Sequence, residues 1–499
     1  MPRDRGVAWP GRRGCRAATG TCKNGRVSAH SEFSIQKLVI IGGGPGGYEA
    51  ALVAASLGAE VTIIEKQGLG GSAVLTDVVP SKTLIASADA MTRFAEAADL
   101  GVHVRGSKDG NEINDLAVDL DKVNTRLLRL AATQSRDIKR GLERVGVRVI
   151  AGTGRLLSPT EVEVTTEDGL EYTLEAQAVL LAVGAYPREL PTAKPDGERI
   201  FTWKQLYHLT EVPEHMIVVG SGVTGAEFAS AYRGLGAEVT LISSRDRVLP
   251  GEDEDAAVVL ENVFERRGMN VVSRSRAQAV ERSGDGVVVT LADGRKIAGS
   301  HCLVAVGGIP ATQDLGLEEV GVAVADSGHI KVDGVSRTTV PGIYAVGDCT
   351  GVLPLASVAA MQGRIAVAHL MGDTVKPLRT HLVASNIFTS PEIASVGVSE
   401  KAIEEGTYQA DTIMLKLSTN PRAKMMAVED GFVKIFSRKG SGTVIGGVVV
   451  GPRASELIFP ISMAVTHKLH VDDLADTFTI YPSLSGSISE AARRLHVHV

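Results

Sequence analysis

KLVIIGGGPGGYEAALVAASLGAEVTIIE, residues 37–65, reads as a complete β–α–β unit. Lys37 to Ile41 is a short apolar run suited to a buried strand, Tyr48 to Leu57 reads as helix, and Glu60 to Glu65 as the next strand. In the connection, Gly42, Gly44 and Gly47 supply a tight turn, close backbone approach to a pyrophosphate and close packing of helix on strand. The helix N-terminus adds about half a positive charge. Glu65 lies at the offset where an acidic side chain holds a ribose hydroxyl. Spaced glycines alone arise by chance in a glycine-rich chain. Strand, helix and terminal acid together identify a dinucleotide site.

The plan recurs. MIVV at 216–219 leads into GSGVTG, with Gly220, Gly222 and Gly225, then a helix through Tyr232 and the strand EVTLIS. Two bound dinucleotides are therefore expected. Each unit is followed by a hairpin with an Asp-Gly turn and a buried strand ending in glycine and proline. The first is VEVTTEDGLEYTLEAQAVLLAVGAYP (162–187) and the second VVVTLADGRKIAGSHCLVAVGGIP (287–310). Gly71, Gly154, Gly184 and Gly307 join the candidate cofactor-binding positions. A helical excursion over 84–145 separates the first unit from its hairpin, with Val123, Leu127, Leu130 and Ile138 expected in the core.

Composition bounds what else the chain can be. Its 499 residues suggest roughly three domains of about 150 residues each. With 22% charged residues and a formal net charge of −6, it lacks the basic character that gathers nucleic acid. The apolar stretches at 178–186 and 443–451 are far shorter than the roughly 20 residues of a membrane span. Cys15, Cys22, Cys302 and Cys349 form neither a disulfide framework nor a metal-ligand spacing, so no metal and a reducing, cytoplasmic setting are expected. Cys302 and Cys349 are expected to pack as small apolar side chains. Residues 1–34, rich in Arg and Gly without apolar periodicity, are expected to be disordered. They lack the apolar segment of a secretory signal, and translation starting near Val27 to Ser34 is the preferred explanation.

From about residue 36 to 495 the chain closely resembles the flavoprotein disulfide reductases, the family of dihydrolipoamide dehydrogenase, glutathione reductase and mercuric reductase. Besides both glycine fingerprints, the resemblance rests on TTVPGIYAVGDCTG (338–351), IFTSPEIASVGVSE (387–400) and GFVKIFSRKGSGTVIGGVVVGPRASELI (431–458). It implies an α/β fold with two Rossmann-like domains, one for FAD and one for NAD(P), plus a C-terminal α+β dimerisation domain. The implied limits are 35–192 and 305–375 for the FAD domain, 193–304 for the NAD(P) domain and 376–499 for the dimerisation domain of a homodimer. Asp348 would bind the ribityl chain. A helix beginning at Leu355, Ala356 and Ser357 would turn its positive end toward the flavin N1 and O2 edge.

The departures from the family are as informative. Where it has GGTCLNVGCIPSK, this chain has GGSAVLTDVVPSK (70–82), with Ala73 and Val78 in place of the redox cysteines. Neither forms a thiolate, so disulfide exchange is excluded there. Where the family has HPTxSE, this chain has YPSLSG (481–486): Tyr481 replaces the acid–base His and Gly486 its orienting Glu. A phenol, ordinarily titrating near ~10, is a poor base at neutral pH but can donate a hydrogen bond to a carbonyl.

Lys82 and Glu227 are retained, and the resemblance pairs them where hydride reaches the flavin. Together these features resemble the family's cysteine-less NAD(P)H–quinone reductase branch. The expected reaction carries hydride from NADPH or NADH through FAD to a quinone or similar small acceptor. Dihydrolipoamide dehydrogenase, soluble transhydrogenase and a non-enzymatic flavin sensor are the alternatives. NADH-specific members end the second nucleotide strand with Glu; here stand Ser243, Arg245 and Arg247, which should admit the 2′-phosphate of NADPH.

Overall fold

Lys37–Ile41 and Ala178–Leu181 are apolar almost throughout because a parallel sheet is covered on both faces, and both strands are buried. In the computed structural model, which describes residues 36–103 and 117–496, they pair side by side within a seven-stranded sheet. The expectations for residues 1–34 fall outside the described residues.

The order across the first sheet is Ile343–Ala345, Ala178–Leu181, Lys37–Ile41, Glu60–Glu65, Arg148–Ser158, then the hairpin Glu161–Thr166 and Glu171–Glu175. The first five run parallel. Strand order therefore reverses beside Lys37–Ile41, which opens a crevice at the carboxyl ends of the strands where such sheets take ligands. Ile343–Ala345 comes back to this sheet after the whole second unit has been built, so the first layer is made from two separated parts of the chain.

A second parallel sheet repeats the arrangement in the order Ile200–Phe201, His301–Val304, His215–Val219, Glu238–Ile242 and Asn270–Val272. Both hairpin turns expected at Asp-Gly are present, with Gly169 at φ +81 and Gly294 at φ +88. The hairpins join their units differently. Arg148–Ser158 is long enough to pair with Glu60–Glu65 and then with the hairpin strand. In the second unit the chain breaks after Val272, and Ala277–Ser283 heads a separate three-stranded sheet. Ala185–Pro187 pairs with Gly308–Pro310 and bridges the two units. The C-terminal region is a five-stranded antiparallel sheet with the Ala454–His467 helix packed beside it.

The helical excursion contains the helices Val78–Glu96 and Leu120–Arg144, with residues 104–116 outside the described set. On the second helix Leu127 is buried and Val123 and Ile138 are partly so, as expected. Leu130 is not core: it is 39% exposed. The inward stripe runs through Asn124, Leu127 and Ala131, so the smaller neighbour takes the contact and Leu130 is turned about 100° away. Asn124 is accommodated because its Nδ2 donates to the Leu209 carbonyl at 2.6 Å.

One buried charge ties the second unit to the C-terminal sheet. The Lys434 side chain, 1% exposed, donates to Asp253 Oδ2 at 2.9 Å, Asp255 Oδ2 at 2.7 Å and Glu400 Oε2 at 2.5 Å. Asp253 also caps the Glu254–Arg266 helix. The protein's own ammonium thus occupies this carboxylate group.

Candidate active site

The two glycine loops show why their spacing is needed. A Cβ on Gly42 (φ +102) would lie 2.3 Å from the Ala182 carbonyl oxygen, and one on Gly220 (φ +111) 2.2 Å from that of Ala305. On Gly47 it would lie 2.0 Å from the Gly42 oxygen, and on Gly225 1.8 Å from the Gly220 oxygen. These four positions tolerate no side chain whether or not a ligand is bound. Gly44 and Gly222 differ: nothing approaches closer than 4.0 Å to a Cβ on the first, and nothing comes within 4 Å on the second. The middle glycine of each loop therefore faces open space. It caps a helix with no side-chain hydrogen bond, which leaves first-turn amides free for an anion. These loops fit a pyrophosphate.

Around the first loop, Glu65 Oε2 accepts the Gly43 amide at 2.6 Å, and Oε1 accepts those of Gln67 and Gly68 at 2.7 and 3.3 Å. Its carboxylate is locked at the loop's edge. Gly71 (φ +54) brings the Gly71–Leu75 helix so close that a Cβ would sit 2.9 Å from Gly44 Cα. Gly184 (φ +69) and Gly307 (φ +94) end corresponding strands in open space; their carbonyls accept from Ala311 and Arg188 across the bridge. Gly154 behaves otherwise than expected. Its missing Cβ points toward Ile64 and Ile41, 3.0 and 3.2 Å from their side chains, so this glycine serves packing inside the sheet.

Asp348 opens a short helical turn after the strand Ile343–Ala345, and burial raises its carboxyl above the usual range, opposed by nearby His329. Gln362, unforeseen from the sequence, holds the preceding bend by accepting the Gly347 amide at 2.8 Å. The helix Ala356–Leu370 has Leu355 at its cap position and no side-chain cap, so Ser357 does not cap it. Its first amides remain available.

Lys82 and Glu227, 145 positions apart, meet at 2.7 Å. Lys82 extends from the first turns of the Val78–Glu96 helix, and Glu227 is buried on the helix Val223–Gly234 just after the second glycine loop. The C-terminal region completes the pair: the Phe388 amide donates to Glu227 Oε1 at 2.9 Å, and the Lys82 Nζ stands 5.1 Å from the Phe388 ring centre. No spacing rule points to Phe388. Ala73 lies on the helix Gly71–Leu75 and Val78 begins the next, the helix that carries Lys82. Cys302 and Cys349 are fully buried, and burial pushes the Cys349 thiol up to about 12 and that of Cys302 higher still. Neither is placed to act as a thiolate.

The second nucleotide loop corrects another expectation. Ser243 does not face the opening. It is fully buried and accepts from the Ser221 hydroxyl at 2.7 Å, its own hydroxyl lying 3.2 and 3.1 Å from the Arg245 and Arg247 carbonyls. Its role is to hold the loop's shape. Arg247 pairs with Glu254 at 2.6 Å and Asp246 with Arg274 at 2.9 Å. The exposed Arg245 guanidinium takes no ion pair among the described residues. Tyr481 is 83% exposed, far removed in sequence from the pair and grouped with exposed Phe478 and Ile480.

Comparison with known proteins agrees with this architecture. Residues 36–363 match the pyridine nucleotide-disulphide oxidoreductase model, and residues 383–492 match the dimerisation domain of the same family. The chain is 53% identical over 473 residues to a Mycobacterium tuberculosis protein named NAD(P)H dehydrogenase (quinone), covering 93% of this chain and 94% of the relative. It is 34% identical to a dihydrolipoyl dehydrogenase of Chlorobaculum parvum, covering 93% and 97%. The crystal structure of LpdA from Mycobacterium tuberculosis superposes with a TM-score of 0.87 at 52% identity, covering 93% of this chain and all of the other. On these grounds the chain belongs to the pyridine nucleotide-disulphide oxidoreductase family.

Proposed function

We propose that this protein is an FAD-dependent oxidoreductase that carries hydride from NAD(P)H to a quinone or similar acceptor without a redox disulfide. The observation that carries this reading is the assembled Lys82–Glu227 pair, at 2.7 Å, on the same segment that has Ala73 and Val78 at the family's cysteine positions. The half of the site that receives hydride is intact, while the half that passes electrons to a thiol is missing. The 53% identical relative named NAD(P)H dehydrogenase (quinone) supports the same reading.

FAD would be held by Gly42, Gly44, Gly47, Glu65, Gly71, Gly184, Asp348 and the first turn from Leu355 to Ser357, in a domain spanning 35–192 and 305–375. The nicotinamide nucleotide would be held by Gly220, Gly222, Gly225, Gly307 and Arg245, in a domain spanning 193–304. The flavin, when bound, supplies the two-electron relay between nicotinamide and acceptor. Lys82 provides a fixed positive charge at the hydride-transfer position, oriented by Glu227, which the Phe388 amide in turn holds. The uncapped first turn of Ala356–Leu370 offers backbone amides to developing negative charge.

Region 376–499 would pair two copies. The exposed Phe478, Ile480 and Tyr481 supply an apolar surface for that contact, and Tyr481 would donate a hydrogen bond to the acceptor in the partner's site. Among the described residues no helix is long and apolar enough to cross a membrane, in keeping with a cytoplasmic setting.

The FAD-loaded protein should oxidise NADPH with menadione and fail to reduce lipoamide or glutathione disulfide. Its reduced spectrum should lack a long-wavelength thiolate-to-flavin charge-transfer band. Lipoamide turnover would overturn the reading, and absence of turnover with every acceptor would leave a flavin-binding sensor.

A further inference from the structure

The segment between Ala73 and Val78 carries an acid that no role above uses. Asp77 occupies the position before Val78, where the family's GGTCLNVGCIPSK has glycine. Its backbone is anchored on both sides: its amide donates to the Ser72 carbonyl at 2.8 Å, and its carbonyl accepts the Ser81 amide at 2.8 Å. The residue is thus fixed at the junction of the two helices Gly71–Leu75 and Val78–Glu96. It stands at the cap position of the second helix yet makes no capping hydrogen bond, and it forms no ion pair among the described residues. It is half-buried, so it keeps an accessible face.

Charged groups surround it: Lys82 on its own helix, Glu227 on Val223–Gly234, Asp348 after the strand Ile343–Ala345, and Lys204 after Ile200–Phe201. The charge of Asp77 also adds to the burial that raises the Tyr207 phenol on the Leu206–His208 turn. An anchored, uncommitted carboxyl beside both vacated cysteine positions and the Lys82–Glu227 pair is arranged to handle a proton.

We propose that Asp77 holds the proton that the acceptor takes up as it is reduced. The inference rests on the quinone-reducing reading. Reduction of a quinone to a hydroquinone requires one hydride equivalent, supplied ultimately by NAD(P)H, and one proton. As the hydride equivalent arrives, one quinone oxygen gains negative charge; the Asp77 O–H bond breaks, a new O–H bond forms on that oxygen, and the carboxylate regains its proton from water. Burial, with Glu227 and Asp348 adding to it and Lys82 and Lys204 opposing, raises the Asp77 carboxyl above its ordinary range, the direction an acid needs.

The test uses the FAD-loaded protein under anaerobic conditions, comparing wild type with Asp77→Asn and with Asp77→Gly, which restores the family residue. Three outcomes are expected together. Reduction by NADPH stays within about twofold of wild type in both variants. Reoxidation by menadione slows roughly 10²-fold and loses the wild type's decline with rising pH, while reoxidation by ferricyanide, a one-electron acceptor that takes up no proton, is unaffected. An infrared titration shows one protonated carboxyl above the ordinary carboxylate range in wild type that is missing from both variants, while the raised Asp348 carboxyl remains in all three. Menadione reoxidation at wild-type rate with an unchanged pH profile overturns the proposal, and so does the absence of that carboxyl signal. If no quinone is reduced at all, the quinone reading fails by itself, and the infrared titration still decides whether Asp77 holds a proton.

Discussion

The two dinucleotide units use the same backbone and finish it with different side chains. In each loop, the first glycine lies against a carbonyl at the end of the neighbouring strand, the third lies against the first, and the middle one faces open space. Their helices end alike, with Gly58 at φ +91 and Gly236 at φ +103 following the last turn. At the end of the next strand they diverge. Glu65 reaches back to the Gly43 amide of the glycine loop and forward to those of Gln67 and Gly68, whereas Ser243 is buried under a loop that carries Arg245 outward. The repeated part answers to the shape every pyrophosphate shares; the divergent part answers to what each nucleotide carries beyond it.

The units also differ in how they are tied to the rest of the protein, and breaking that tie should give the largest effect. Lys434 holds the second unit to the C-terminal sheet through Asp253 and Asp255, with Glu400 of the C-terminal region completing the cluster. Lys434→Met should cost about 3–5 kcal/mol, because Asp253 is left as an uncompensated buried charge next to two partly exposed carboxylates. Denaturant unfolding measures this, and a loss below about 1 kcal/mol would show that the cluster relaxes around the missing ammonium.

Next come the glycines. Gly47→Ala and Gly225→Ala should each cost about 3 kcal/mol, since the new methyl must displace a backbone carbonyl. The first should release FAD and the other should spare it. Gly44→Ala and Gly222→Ala should leave the melting temperature nearly unchanged and weaken only the corresponding ligand. Equal losses at all four positions would end the distinction between packing and ligand-facing glycines.

The seam between the units is tested by Lys82→Met, which leaves Glu227 with only the Phe388 amide. Reduction of bound flavin by NADPH should slow about 10²-fold, read in a single turnover, with flavin content retained. The smallest effect should follow Arg245→Ala. The KM for NADPH should rise about tenfold, the lower end of what a charge-assisted phosphate contact of about 1.5–3 kcal/mol provides, while the KM for NADH should not move. An equal rise for both nucleotides would show that Arg245 does not read the 2′-phosphate.

Local rules made the two units legible, because the tight turn and uncapped helix start impose a spacing within about 30 consecutive residues. The same rules misjudged side chains whose direction depends on what packs against them. Leu130 is apolar and near the stripe, yet Ala131 takes the core position. Ser243 stands at the right strand end but turns inward, and Gly154 is glycine because two isoleucines crowd it. Asp77 and Phe388 gave no periodic or spacing signal; their significance depends on neighbours far away in the chain.

By itself the sequence determined the doubled β–α–β plan, the glycine positions that shape it and the impossibility of thiol chemistry at Ala73 and Val78, because these depend on local geometry and on which atoms a side chain contains. The tertiary structure decided the rest. It joined Lys82 to Glu227 across 145 positions, placed the Phe388 amide on Glu227, tied the second unit through Lys434 and set Asp77 among the charges around that pair. Such pairings form only when separate elements pack, and the short-range periodicity of a chain carries no record of which distant elements will meet.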